Sequence, residues 1–318
     1  MIVGLAARQR LSPRLALAGL AVLLFAYLTS FDLTSMRFIS PADAFSDGAV
    51  AADYLTSRTG LFRTYSPSYS LPSHVAAGAD LQTADGVEGV HLTAYDRFMA
   101  LAGGYGDPSF NITVPPFPPE LRLDEAFRDT QPNLRLLGLL NVEYLVAAFP
   151  MDWPGLTFVT EVNGSHVYRN EHALPRAWVI HSTPQTGSGD WATQLVGLAD
   201  RSAQAVDAGD FVAHVTHYEP DHIEVEASLP EDGLLVLSEI WYPGWRATVD
   251  GQAQPVERVA DILRGVRLSQ GTHHVAVMYD PASVRWGERL SLAAWLIVAL
   301  GSIALLLFRA VGRRRGSD

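Results

Sequence analysis

The chain has 318 residues, 48% of them hydrophobic, with 34 acids against 23 basic residues and a formal net charge of −11. That balance excludes a phosphate-rich partner such as nucleic acid, which needs the opposite sign. The absence of cysteine excludes disulfides and thiolate metal sites, so a secreted portion must be held by an apolar core.

Arg8, Arg10 and Arg14 lead into Leu15 to Phe31, LALAGLAVLLFAYLTSF, 17 positions without charge. A hydrocarbon layer of about 30 Å needs roughly 20 apolar residues at 1.5 Å each, and about 17 is the lower end of that range. The alternative is a cleaved signal peptide. Its usual apolar region is shorter, and Tyr27-Leu28-Thr29-Ser30 offers no small-x-small cleavage site, so an uncleaved anchor is expected.

After a connector (32–45), Asp47 to Thr59 has helical spacing with Gly60 as a stop, and Leu61 to Tyr65 reads as a short strand. A helix is predicted from Leu92 to Leu101. Asp107 to Pro119 carries five prolines and reads as an extended linker. Leu121 to Phe127 suggests a helical turn, and Asn133 to Leu140 a short buried helix before a strand from Glu143 to Phe149. Leu156 to Val162 and Ser165 to Arg169 form a predicted hairpin around Asn163-Gly164, since both turn positions need φ > 0. A helix over Trp191 to Asp207 follows.

The last section reads as seven short strands: 211–218, 222–228, 233–240, 245–249, 256–259, 263–268 and 272–279, with Asp250-Gly251 as a tight turn. Their spacing matches a β-sandwich or jelly-roll, and His222, Glu224 and Glu226 alternate with Ile223 and Val225 as on a strand with one wet face. Leu290 to Phe308, LSLAAWLIVALGSIALLLF, gives 19 further positions without charge, followed by Arg309, Arg313, Arg314 and Arg315. Arginines beside a span stay on the cytoplasmic side, which puts both tails there and the interval Asp32 to Glu288 outside. That interval holds 33 of the 34 acids and 15 arginines, a net of −18.

The expected fold class is therefore α+β, mostly β: an extracytoplasmic domain ending in a sandwich-like section, flanked by two transmembrane helices. Its parts are a cytoplasmic N-terminus (1–14), a span (15–31), a mixed α/β region (32–209), a β-sandwich-like region (210–288), a second span (290–308) and a cytoplasmic tail (309–318).

Signals for chemistry are sparse. His214 and His217 fall on opposite faces of a strand, as do the adjacent His273 and His274, so neither pair makes a zinc site. Glu224 and Glu226 share a face about 7 Å apart, which suits a carboxylate pair but equally a solvated acidic face. Walker, H-E-x-x-H and G-x-S-x-G sequences are absent, no catalytic or metal-binding residue is assigned, and no cofactor is called for. The richest segment is EIWYPGWRATVD. Trp241, Tyr242 and Trp245 offer ring faces that stack on sugars, with Arg246 and Asp250 for hydroxyls, making these five the candidate glycan-binding residues. The competing reading puts the same rings in the sandwich core.

Several of these segments resemble the bacterial membrane protein YfhO family. The likeness lies in LLVLSEIW, Tyr242-Pro243-Gly244-Trp245-Arg246-Ala247, Val249-Asp250-Gly251, Leu263-Arg264-Gly265-Val266, Gly271-Thr272-His273 and Tyr279-Asp280-Pro281. Shorter pieces are Asp53-Tyr54-Leu55, Phe62-Arg63, the 133–146 stretch and Leu174-Pro175-Arg176-Ala177. The resemblance implies a polytopic protein of the glycosyltransferase C type, transferring sugar from a polyprenyl-phosphate donor to an envelope polymer such as lipoteichoic acid. This chain shows only the last two spans of that pattern, without the membrane core that carries the catalytic carboxylate. The implied role is a non-catalytic extracytoplasmic domain, with the lipid bilayer, a separate polytopic transferase subunit and an envelope glycan as expected partners. The alternatives are a structural or interaction protein of the envelope without sugar contact and, third, a metal-dependent envelope hydrolase.

Overall fold

The structure, a computed structural model, describes residues 12–35, 40–86, 90–105, 120, 122–181, 190–209 and 212–315. The proline-rich stretch 107–119 lies outside these. The chain divides into two compact units, Met1–Asp47 and Gly48–Asp318. The first holds α1 (Pro13–Ser35) and α2 (Pro41–Ala44), the latter capped by the Ser40 hydroxyl accepting the Asp43 N–H at 3.1 Å. The first expected span lies on α1. Its apolar stretch, Leu17–Ser30, is shorter than a bilayer's hydrocarbon layer requires.

The second unit runs α3 (Ala49–Thr56), β1 (Arg63–Tyr65), α4 (Ser73–Gly78), β2 (Gln82–Thr83), α5 (Thr93–Gly103), α6 (Leu123–Ala126), α7 (Leu134–Leu139), β3 (Val142–Ala147), β4 (Leu156–Val162), β5 (Ser165–Asn170), β6 (Ala177–Ile180) and α8 (Trp191–Ala208). Eight strands follow: β7 (Val212–Glu219), β8 (His222–Leu229), β9 (Gly233–Ile240), β10 (Trp245–Val249), β11 (Gln252–Gln254), β12 (Glu257–Val259), β13 (Leu263–Leu268) and β14 (Gly271–Tyr279). The last element, α9 (Ala282–Arg315), contains the one helix window among the described residues long and apolar enough to cross a membrane, Ala282–Ile303, with none of it buried.

Local chemistry accounts for most boundaries. The Asn133 side chain caps α7 by accepting the Leu136 N–H at 3.2 Å. Asn163 and Gly164 both take positive φ, 47° and 79°, and close the β4–β5 hairpin; Asp250 and Gly251, at 52° and 78°, close β10–β11 in the same way.

Three sheets result, ordered β2-β1-β3-β5-β4, β12-β13-β9-β6 and β11-β10-β14-β8-β7. The first is mixed, β1 pairing in parallel with both β2 and β3; the other two are antiparallel. The second and third sheets face each other as a sandwich. Ile223, Val225 and Val277 from one meet Leu235, Leu237 and Val266 from the other. The opposite face of the second sheet, with Trp178, Ile180, Leu234, Val236 and Leu263, packs into a larger core with α5, α7, α8 and the first sheet. The far face of the first sheet is covered by α3 and α4 through Ala51, Leu55 and Val75. The middle sheet is thus buried on both sides, which is why β9 reads as an almost unbroken apolar run while β8 alternates. The sandwich reaches back beyond residue 210, because β6 pairs with β9 along 177–180.

One buried carboxyl stands out in the large core. Asp85 has its Oδ1 without a partner among the described residues, and burial pushes its pKa up to about 7 against the pull of the Asp85 and Ser66 backbone N–H groups. The folded chain therefore holds a proton that the unfolded chain releases near 3.8, so this group's contribution to stability falls as pH rises from about 4 through 7. Thermal unfolding in detergent at pH 5 and pH 8 is expected to show a drop for the wild type that Asp85→Asn flattens. An unchanged pH dependence in the variant would contradict this assignment.

Candidate functional site

A register break in β9 builds the most unusual polar feature of the fold. Leu263 pairs with Ile240, but the next residue, Arg264, pairs with Leu237, leaving Ser238 and Glu239 unpaired on that side. Such a bulge re-aims side chains. Here it turns the buried Glu239 toward a set of residues from distant segments. Arg63 of β1 donates from Nη2 at 2.9 Å, Arg176 from Nη1 at 3.3 Å and the Tyr218 hydroxyl of β7 at 3.0 Å. Gln82 of β2 completes the ring, accepting from Arg176 Nη2 at 2.8 Å and from Tyr218 at 3.3 Å. Arg63 also donates to the carbonyls of Leu140 and Ser238, and the Ser238 hydroxyl donates to the Leu139 carbonyl at 2.8 Å. One carboxylate thus links all three sheets.

Two guanidiniums share that carboxylate in the interior. Burial, aided by the charge of Arg63, lowers the Arg176 pKa to about 10, with Glu239 opposing; burial lowers Arg264 to about 10 as well. Breaking a buried ion pair by removing one partner costs about 3–5 kcal/mol, because the other charge stays buried, whereas losing one hydrogen bond to a charged group costs about 1.5–3 kcal/mol. Glu239→Gln is therefore expected to lower stability by about 3–5 kcal/mol and Tyr218→Phe by about 1.5–3 kcal/mol, measured by chemical denaturation. Equal stability of Glu239→Gln and wild type would overturn the assignment.

The candidate glycan-binding residues divide. Trp241, Tyr242, Trp245 and Arg246 gather where β10 begins, and Asp250 lies at the other end of that strand, about 17 Å along it at roughly 3.3 Å per residue. There its carboxylate accepts the His274 N–H at 2.9 Å and meets His273 Nδ1 at 2.7 Å, bracing the hairpin; the contact lowers the Asp250 pKa and raises that of His273. The Arg258 guanidinium sits 5.1 Å from the Trp241 ring centroid, and Arg264 only 3.3 Å from that of Trp245, while Tyr279 lies 5.2 Å from Trp245 on another side. Trp245 also packs on the sandwich core. Tyr242, 46% exposed, is the most open ring of the three.

The same turn forms a joint with the C-terminal helix. Gly244 has φ of 113°, and a Cβ there would come within 2.9 Å of Pro281 and 3.0 Å of Tyr279. Its carbonyl accepts the Asp280 N–H at 2.9 Å, Trp245 pairs with Tyr279 across the strands, and Asp280 is shared by Arg246 (3.4 Å) and Arg285. The Tyr242-Pro243-Gly244-Trp245-Arg246 motif and the Tyr279-Asp280-Pro281 motif are thus two halves of one contact.

A third feature escaped sequence reasoning: a cleft of about 610 Å³ between the first sheet and β7. Glu143 reaches it because β3 bulges there; Arg63 pairs with Val142 and Thr64 with Tyr144, leaving Glu143 unpaired against β1. Arg169 Nε lies 3.3 Å from Glu143, and the Thr157 hydroxyl donates to Glu171. Arg176 and Asn141 form part of the buried wall, where Arg176 Nε and Asn141 Oδ1 have no partner among the described residues. His214 stands exposed at the margin. Lone polar residues inside apolar runs, such as Arg176 before AWVI, were the available signal.

Elsewhere, Glu224 sits between His222 at 3.2 Å and His274 at 3.5 Å, and Glu226 is exposed. Among the described residues no three His, Asp or Glu side chains converge in a metal-binding group.

Fold and helix together define a β-rich domain tied directly to a helix of membrane-spanning length. Residues 194–291 match the model of the family described as Bacterial membrane protein YfhO, a stretch running from α8 through the sandwich into α9. The resemblance read from the motifs is borne out for that stretch, which is similar to the YfhO family. No curated protein and no solved structure matches it.

Proposed function

We propose that this chain is a non-catalytic module of an envelope glycosylation system, holding a saccharide for a separate polytopic transferase. In this reading α1 and α9 both cross the membrane, both tails are cytoplasmic, and the acidic interval 32–288 lies outside. The arginines flanking both apolar stretches support the orientation.

The observation that carries the saccharide reading is the cleft. Its volume falls within the range of about 300–1,000 Å³ typical of small-ligand sites. The two guanidiniums and two carboxylates of its lining balance each other, so a neutral ligand is favoured over an ion. A sugar hydroxyl both donates and accepts, which matches carboxylates beside guanidiniums and carboxamides, while Leu61, Pro175 and Val215 offer apolar surface to ring C–H groups.

The second reading is an envelope scaffold without sugar contact. It is favoured by the ring cluster, where guanidiniums already cover Trp241 and Trp245.

Right-side-out membrane vesicles carrying the chain are expected to retain fluorescent oligosaccharides released from envelope polymer, without permeabilisation. Arg169→Ala and His214→Ala should weaken retention about tenfold or more, the worth of a charge-assisted hydrogen bond at about 1.5–3 kcal/mol. Tyr242→Ser should leave it unchanged. Binding only after permeabilisation would overturn the orientation. Loss in Tyr242→Ser alone would move the site to the rings, and no binding at all would favour the scaffold.

A further inference from the structure

The joint between β10, β14 and α9 has a feature the saccharide reading does not use: it combines open aromatic surface with clustered arginines next to a helix of spanning length. Only Asp280 and Pro281 separate the last residue of β14 from the first of α9. The uncharged run of that helix starts at Leu290, about 12 Å along the axis from Ala282 at 1.5 Å per residue. A headgroup layer occupies roughly 5–8 Å on each side of the hydrocarbon. The first turns of α9, with Arg285, Glu288 and Arg289, therefore cross that layer, and the joint stands roughly 4–7 Å beyond it, within the reach of a long side chain.

Composition at this edge differs from the rest of the domain. Tyr242 and Trp286 are both exposed, and Trp and Tyr favour the membrane–water boundary, where a ring meets acyl chains and its polar atom meets water. Arg246 and Arg285 share the single carboxylate of Asp280, and Arg289 stacks on Trp286 with its guanidinium 5.4 Å from the ring centroid. Arg246, Arg285 and Arg289 gather on the helix side of this edge beside Asp280 and Glu288, with Asp221 of the β7–β8 turn next to Tyr279 on the other side, whereas the whole interval 32–288 carries −18. An anionic membrane surface repels such a domain as a whole and attracts these three guanidiniums.

We propose that this joint is a bilayer-seating surface, in which Tyr242 and Trp286 enter the headgroup boundary and Arg246, Arg285 and Arg289 engage the phosphates of anionic phospholipids. Because the Gly244 turn is locked onto Asp280-Pro281, seating fixes the tilt of the whole sandwich relative to the membrane. The proposal is independent of the saccharide cleft and of which side of the membrane the domain occupies.

The cysteine-free sequence makes the test direct. Tyr242→Cys and Gln252→Cys, at opposite ends of the β10–β11 hairpin, each receive an environment-sensitive fluorophore in the full chain. The two proteins are reconstituted into phosphatidylcholine vesicles with or without phosphatidylglycerol and with headgroup spin-labelled lipid as quencher. The label at 242 is expected to be quenched and that at 252 not. Phosphatidylglycerol should favour the seated form by about fivefold per arginine, from about 1 kcal/mol each. Arg246→Gln with Arg285→Gln should remove that gain, and free glycerol phosphate should not compete. Arg289→Gln repeats the charge test on the helix surface, away from the joint, so misfolding cannot imitate the result. Equal quenching at 242 and 252, or no response to phosphatidylglycerol in the wild type, would overturn the proposal.

Discussion

A single buried carboxylate, Glu239, sets the relation among the three sheets. Apolar burial drives the layers together, but it is non-directional and does not choose one sliding position over another. The Glu239 cluster does choose. Arg63 comes from the first sheet, Tyr218 from the third, and Glu239 itself from a bulge in the middle one. A guanidinium buried without its carboxylate is costly, so arrangements that separate these groups are penalised even when they bury as much apolar surface. Replacement of the whole cluster by well-packed apolar residues would not carry that penalty, which marks its role as fixing geometry more than adding stability.

The cluster also joins the two features with functional promise. Arg176 reaches Glu239 on one side and forms part of the cleft wall on the other. Arg264 donates to the Ile240 carbonyl at 2.9 Å and stacks on Trp245, which leads to the joint with α9. Cleft, sheet register and C-terminal helix are thus connected through contacts between charged groups and their neighbours.

Sequence patterns revealed much of this fold and little of its centre. The Asn163-Gly164 and Asp250-Gly251 turns were legible because two adjacent positive φ values restrict the residues allowed. Strands 245–249 and 263–268 were legible from short apolar runs between turn signals, and their bounds agree with β10 and β13. β6 was not recognised, since AWVI after Leu-Pro-Arg is four residues long and buried on both faces, so it shows no alternation. The parallel pairing of β1 with β2 and β3 depends on distant partners and leaves no local trace. The 19 uncharged positions 290–308 fall on α9, whose window long and apolar enough to cross a membrane is Ala282–Ile303, while the 17 positions 15–31 fall on a helix whose apolar stretch is shorter. For the site, Trp241, Tyr242, Trp245 and Arg246 lie together at the start of β10, but Asp250 follows them closely in sequence and not in space. Glu239 was passed over as part of a strand, although a Ser-Glu pair inside LLVLSEIW is a buried polar group that must find partners. Phe62-Arg63, Leu174-Pro175-Arg176-Ala177 and Leu263-Arg264 were quoted as family motifs; the structure supplies their common physical reason.

Hydrogen exchange resolved by peptide tests the centre of this account most directly. In Glu239→Gln, protection is predicted to fall together in β1, β7 and β9, one strand from each sheet, while the β4–β5 hairpin keeps its exchange rate. Loss confined to β9, or no loss in any of the three, would contradict the claim that one carboxylate holds the sheets in register.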